Sequence, residues 1–139
     1  MITEIANKIY MHQKNGLEME KITIEYPELN VNNAYEIQKL SIDHAIKNGD
    51  PLIGWKMGLT SIAKQKSVNV DEPIYGRLTK SMELVENQLN MEGTIHPRVE
   101  PEIAFVINKP LFGQDITRKD VWDATEYIVP ALEVIDSRY

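Results

Sequence analysis

The apolar residues of this chain change period. Ile2, Ile5, Ala6, Ile9 and Tyr10 recur at helical spacing, and Ala34, Ile37, Leu40, Ser41 and Ala45 do so again further on. Across "IHPRVEPEIAFVI", residues 95 to 107, the repeat is two instead. Glu100, Glu102, Ala104 and Val106 share one side of a strand, and Pro101, Ile103, Phe105 and Ile107 share the other. A chain that is helical early and β-like late, without regular alternation of the two, is expected to be α+β.

Local signals mark where the elements stop and start. The first helix ends near Asn15-Gly16, and "MEKITIEYPELN" is irregular. Asn33 followed by Glu36 reads as the capping box of a second helix, closed by Asn48-Gly49. "PLIGWKMGLTS" is a short strand between glycines, and Ser61 caps a brief helix through Ser67. "DEPIYGRLTKSMELVENQ" is expected to hold a turn and one or two short strands. Asn108-Lys109-Pro110 ends the strand that begins near residue 95. Thr117 with Asp120 opens a last helix, expected to run to Pro130 with Val121, Ala124, Thr125 and Ile128 inward. "ALEVIDSRY" is a final strand with Leu132 and Val134 facing a core. The expected division is a helical region over 1–50 and the first part of a β-rich catalytic domain over 51–139, one domain overall.

Composition removes several classes of function. The 139 residues are enough for one domain with a core. With 21 acidic residues against 15 Lys+Arg, the net charge of −6 and the absence of a basic run argue against nucleic acid or an anionic membrane as partner. There is no cysteine, so any metal must be held by oxygen or imidazole. "MITEIANKIYMHQK" lacks the layout of a signal peptide, and no apolar run is long enough to span a bilayer. The expected location is the cytoplasm.

Against that background the carboxylates stand out. Glu100 and Glu102 lie on one face of a strand, roughly 6.5–7 Å apart along the backbone. Two such groups repel unless a cation or a shared proton intervenes, and their arms can converge on a hard cation. A solvated outer strand face is the alternative. Asp136, on the other strand candidate, offers a third oxygen ligand; pairing with Arg98 or Arg138 is as good a reading of it. Such a set suits Mg²⁺ or Mn²⁺. Lys56 sits between Gly54 and Gly58, where bare backbone admits close approach of a ligand; an exposed lysine beside turn glycines is the plainer reading. His12 and His44 are expected on helix surfaces, and His96 as a structural hydrogen-bonding residue. No phosphate-binding glycine loop, nucleotide fingerprint or Ser-His-Asp arrangement occurs.

Four segments, "GWKMGLTS", "EPIYGRL", "IHPRVEPEIAFV" and "PALEVIDSRY", resemble in order and spacing the hydratase/decarboxylase branch of the fumarylacetoacetate hydrolase superfamily, and "YPELNVNNAYEIQ" resembles its N-terminal region. "IHPR" and "IDSRY" are more like the branch members that decarboxylate 2-oxo-3-hexenedioate (4-oxalocrotonate) than like the hydratases. The resemblance implies N-terminal helices followed by part of a mixed, barrel-like β domain, shortened at its C-terminus. It implies metal ligands at Glu100, Glu102 and Asp136, Mg²⁺ or Mn²⁺ as cofactor, and an active-site lysine at Lys56. Tyr75 and Arg138 are candidates for orienting the substrate.

The expected reaction is metal-dependent conversion of 2-oxo-3-hexenedioate to 2-hydroxypenta-2,4-dienoate, in aromatic meta-cleavage catabolism. The alternatives are a 2-oxopent-4-enoate hydratase and a non-catalytic fragment or interaction subunit. The expected partners are a small 2-oxo acid, other copies of the chain, and the companion hydratase. Pro101 departs from the family pattern, which more often has a small residue between the two glutamates.

Overall fold

Helix α1 (Ile2–Asn15) begins with Glu4 in its first turn and ends with His12 and Lys14 in its last, charges that match the helix dipole. It stops where the spacing predicts. Gly16 takes φ 60°, and the Leu17 N–H reaches back to the His12 carbonyl at 3.0 Å. The fold, taken from a computed structural model, is described for residues 1–84, 86 and 88–139. It consists of two compact units, Met1–Thr94 with Arg138–Tyr139, and Ile95–Ser137. The division expected at residue 50 coincides with a turn inside the first of them.

In the first unit a short helix α2 (Ile22–Glu25) leads to α3 (Val31–Lys47). The cap of α3 is Asn30, three residues before the expected Asn33. The Asn30 carboxamide accepts the Asn33 N–H, and the Asn33 carboxamide accepts the Asn30 N–H, both at 3.1 Å. Asn33 thus fills the third helical position, the role sought in a glutamate. Ile5, Ala6 and Ile37 form a buried cluster, with Ile2, Ile9, Ile22, Tyr26, Leu29 and Leu40 packed around it. Burying an isoleucine side chain is worth about 1.5–3 kcal/mol, so this contact is the main apolar term of the unit.

Strand β1 (Leu52–Gly58) pairs antiparallel with β2 (Ile74–Thr79), and α4 (Ile62–Ser67) lies between them in sequence, capped by the Ser61 hydroxyl as expected. Asp50 clasps the far end of this ribbon. Its carboxylate accepts the Ser81 N–H at 2.8 Å and the Ser81 hydroxyl at 2.7 Å. Of the one or two short strands expected in "DEPIYGRLTKSMELVENQ", β2 is one; Val85 and Asn87 lie outside the described residues, and no other described residue of that segment is in a strand.

The second unit is a long antiparallel ribbon of β3 (Pro97–Ile107) and β4 (Thr125–Asp136), with α5 (Arg118–Ala124) in the connection. Thr117 and Asp120 cap α5 reciprocally, as expected. The helix does not continue to Pro130. It ends at Ala124, and Thr125 to Val129, rich in β-branched and aromatic residues, pair with β3. Pro130 sits inside β4 without breaking it. In register Pro97, Pro101 and Pro130 belong to rungs of the same class, opposite Asp136, Leu132 and Ile103. These are the rungs that need no hydrogen bond from the proline position, which explains how a two-stranded ribbon tolerates all three.

The two faces of this ribbon differ. Glu100, Glu102, Ala104, Val106, Glu133, Ala131 and Val129 are half-buried. The other face is apolar but exposed: Ile103 is 66% and Leu132 70% accessible. Leu132 is therefore not core-facing, contrary to expectation, because Glu133 and not Leu132 shares the half-buried side with Glu100.

Candidate metal centre

Antiparallel pairing places Glu100 directly opposite Glu133, and Glu102 opposite Ala131 on the same face. Cross-strand partners in a ribbon have Cβ atoms about 4.5–5.5 Å apart, close enough for three carboxylate arms to meet over the small Ala131 side chain. They do meet. One carboxylate oxygen each from Glu100, Glu102 and Glu133 lies within 4.8 Å of the other two, and all three residues are half-buried. Like charges held this close repel, and a divalent cation among them would offset that repulsion.

The donor set fits a divalent ion. Oxygens on opposite sides of Mg²⁺ stand about 4.2 Å apart and those around Ca²⁺ up to about 5 Å, so a small movement of the glutamate arms closes the cluster on either. Three carboxylates are hard donors of the kind these cations prefer.

Of the residues expected at a site, Glu100 and Glu102 are brought together, joined by Glu133. Asp136 is not among the three. It stands opposite Pro97, on the other face of the ladder from Glu133, and its carboxylate accepts backbone hydrogen bonds. One oxygen takes the Ile95 N–H at 3.0 Å and the His96 N–H at 2.7 Å; the other lies 3.3 Å from the Ile95 nitrogen. Spacing within the segment does not single out Glu133, because register decides which residue of "ALEVID" faces Glu100. Counting back from Asp136 by parity selects Leu132 and Val134 instead. The signal available was the antiparallel alignment of the two strand candidates.

Lys56, Tyr75 and Arg138 belong to the first unit. Lys56 is opposite Gly76, with Gly54 and Gly58 on the same face, and its amine donates to the Met57 carbonyl at 2.9 Å. The Tyr75 ring stacks on Tyr35 with centroids 4.3 Å apart and is tilted against Trp55 at 5.7 Å. Gln38 of α3 donates to the Tyr75 carbonyl at 3.0 Å and accepts from Arg77 at 3.1 Å, so helix and strand are tied at this point. The Arg138 carbonyl accepts the Met19 N–H at 2.8 Å. His12 and His44 are both half-buried; the His12 ring nitrogen lies 2.9 Å from the Glu18 carbonyl, and His44 stacks on Tyr10.

No family model matches the chain. It is 39% identical over 137 residues to the 2-oxo-hept-4-ene-1,7-dioate hydratase of Escherichia coli, an alignment covering 98% of this chain and 51% of the relative. It is 38% identical over 139 residues to a 4-oxalocrotonate decarboxylase of a Pseudomonas species, covering 99% and 54%. The 4-oxalocrotonate decarboxylase of Pseudomonas putida G7, solved in complex with magnesium and adipate, superposes with a TM-score of 0.93 at 34% identity, covering 99% of this chain and 53% of that one. Along nearly its whole length the chain is similar to these hydratases and decarboxylases. The likeness read from the motifs thus extends along essentially the whole sequence, and the chain spans about half the length of the relatives it matches. No helix is long and apolar enough to cross a membrane among the described residues.

Proposed function

We propose that this chain carries the metal-binding part of an enzyme that decarboxylates 2-oxo-3-hexenedioate to 2-hydroxypenta-2,4-dienoate with Mg²⁺ or Mn²⁺. The observation that carries the reading is the convergence of Glu100, Glu102 and Glu133 on a scaffold superposing at 0.93 on a decarboxylase complexed with magnesium and adipate. These three glutamates would hold the ion. A bound divalent cation supplies Lewis-acid stabilisation of a developing oxyanion. In the reaction the bond to the far carboxylate breaks, CO₂ leaves, and the electron pair passes along the conjugated chain to the 2-oxo oxygen. Lys56, on a strand face left bare by glycines, is assigned to binding a substrate carboxylate or moving a proton. Arg138, whose planar guanidinium matches a carboxylate in two-point contact, and Tyr75 are assigned to orienting the diacid. In this reading the catalytic domain is of a mixed, barrel-like β type, and the protein works in the cytoplasm as a homo-oligomer beside its companion hydratase.

Hydration of 2-oxopent-4-enoate is the second reading, favoured by the identity to hydratases, 33–39% over the five aligned, which overlaps the 36–38% to decarboxylases. Supplying both substrates with Mg²⁺ separates the two: CO₂ release is expected, and hydration without it overturns the decarboxylase assignment. In parallel, Glu133→Gln is expected to weaken Mn²⁺ binding by at least about tenfold, worth about 1.4 kcal/mol. Unchanged affinity removes the metal centre and leaves the interaction module as the better account.

A further inference from the structure

Asp136 ends β4 in an unusual place. Its register partner is Pro97, on a rung that asks no N–H of the proline, and the two residues before Pro97 precede β3. A continued ladder would take at most one of the Ile95 and His96 N–H groups, because successive N–H groups of a strand point to opposite edges. Instead one oxygen of Asp136 receives both, at 3.0 and 2.7 Å. A carboxylate gripping two successive backbone donors makes charge-assisted bonds, stronger than the neutral ones of the ladder.

We infer that Asp136 is a positioning residue: its carboxylate locks the β3–β4 register that holds Glu133 opposite Glu100. This rests on the reading of the three glutamates as a metal centre. A slip of one residue turns every side chain of a strand to the opposite face, so it would carry Glu133 away from Glu100 and Glu102. The Glu100–Glu133 rung is three residues from the Pro97–Asp136 rung, about 10 Å along the ribbon. At the other end the pairing shifts between Val106 and Ile107, an irregularity that itself pins register. The acidic cluster therefore sits between two locks, nearer the one made by Asp136. An asparagine at 136 can still accept both N–H groups through its carbonyl oxygen, whereas an alanine can accept neither.

The test compares Asp136→Asn, Asp136→Ala and Glu133→Gln in the whole chain. Three quantities are read by NMR and Mn²⁺ titration: exchange of the Ile95 and His96 amides, the Hα–Hα contact between Val99 and Val134, and Mn²⁺ affinity. Asp136→Asn is expected to keep slow exchange, the cross-strand contact and near wild-type affinity. Asp136→Ala is expected to speed exchange at both amides, weaken the contact and lower Mn²⁺ affinity about tenfold. If Asp136→Asn loses Mn²⁺ as severely as Glu133→Gln while both amides stay protected, Asp136 is a ligand and the inference fails. It fails equally if Asp136→Ala changes neither exchange nor the Val99–Val134 contact. Should wild-type protein bind no Mn²⁺, the metal reading falls alone, because exchange and the cross-strand contact still report whether Asp136 holds the register.

Discussion

The helix pair α1–α3 and the ribbon β3–β4 distribute burial in opposite ways. The pair places Ile5, Ala6 and Ile37 in a core and keeps its charges outside. The ribbon leaves Ile103 and Leu132 exposed and half-buries three glutamates. Apolar burial stabilises the first region, while cross-strand geometry organises the second. The contrast separates a region built for stability from one built to hold charge at a defined place.

Truncating the core should produce the largest effect. Ile37→Ala is expected to cost about 3 kcal/mol in urea unfolding. The same change at Ile103, on the exposed ribbon face, should cost well under about 1 kcal/mol. Equal losses would mean that the ribbon face is a second core and would erase the comparison.

An intermediate effect is expected at Gly16. Its φ of 60° disfavours a side chain, and an added Cβ would lie 2.6 Å from the Gly93 carbonyl oxygen. Gly16→Ala should therefore destabilise by about 1–3 kcal/mol, more than an ordinary cap substitution. A neutral result in the same unfolding assay would show that the α1 terminus is free to rearrange.

The smallest effect concerns pH. The Ser81 hydroxyl, bonded to the Asp50 carboxylate, holds that carboxyl below its ordinary value against the opposing cost of desolvation; Thr79 and the backbone of Ser81 and Lys80 add to the lowering. A carboxyl lowered in the folded state contributes stability above its unfolded pKa, about 3.9, and loses it as pH falls through the folded value. Acid unfolding of wild type should therefore include a component that Asp50→Asn lacks, while the two proteins differ little in slope near neutrality. Identical acid profiles would remove Asp50 as a linkage site.

Much of this molecule was legible in advance because its signals are local. Gly16, Ser61, Thr117 and Asp120 mark helix ends by chemistry that needs only neighbours a few residues away. The Asn33–Glu36 spacing points three residues past the true cap of α3, because Asn30 and Asn33 form the box without a glutamate. The last helix ends earlier than Pro130 suggests, because a proline reads as a helix stop, yet Pro130 occupies a rung that asks nothing of its nitrogen. Glu100 and Glu102 were visible as a pair because strand parity is also local.

Their companion was not. Whether Glu133 or Asp136 shares the face of Glu100 depends on how two strands separated by the α5 connection align, and a shift of one residue exchanges which of them does. Sequence by itself determined most of the helices and strands, the acidic pair and the kind of cation such donors suit, since each follows from spacing within one segment. Tertiary structure alone decided the third carboxylate of the cluster and the occupation of Asp136 by backbone N–H groups. Register between distant strands is a property of their packing, and no single segment contains it.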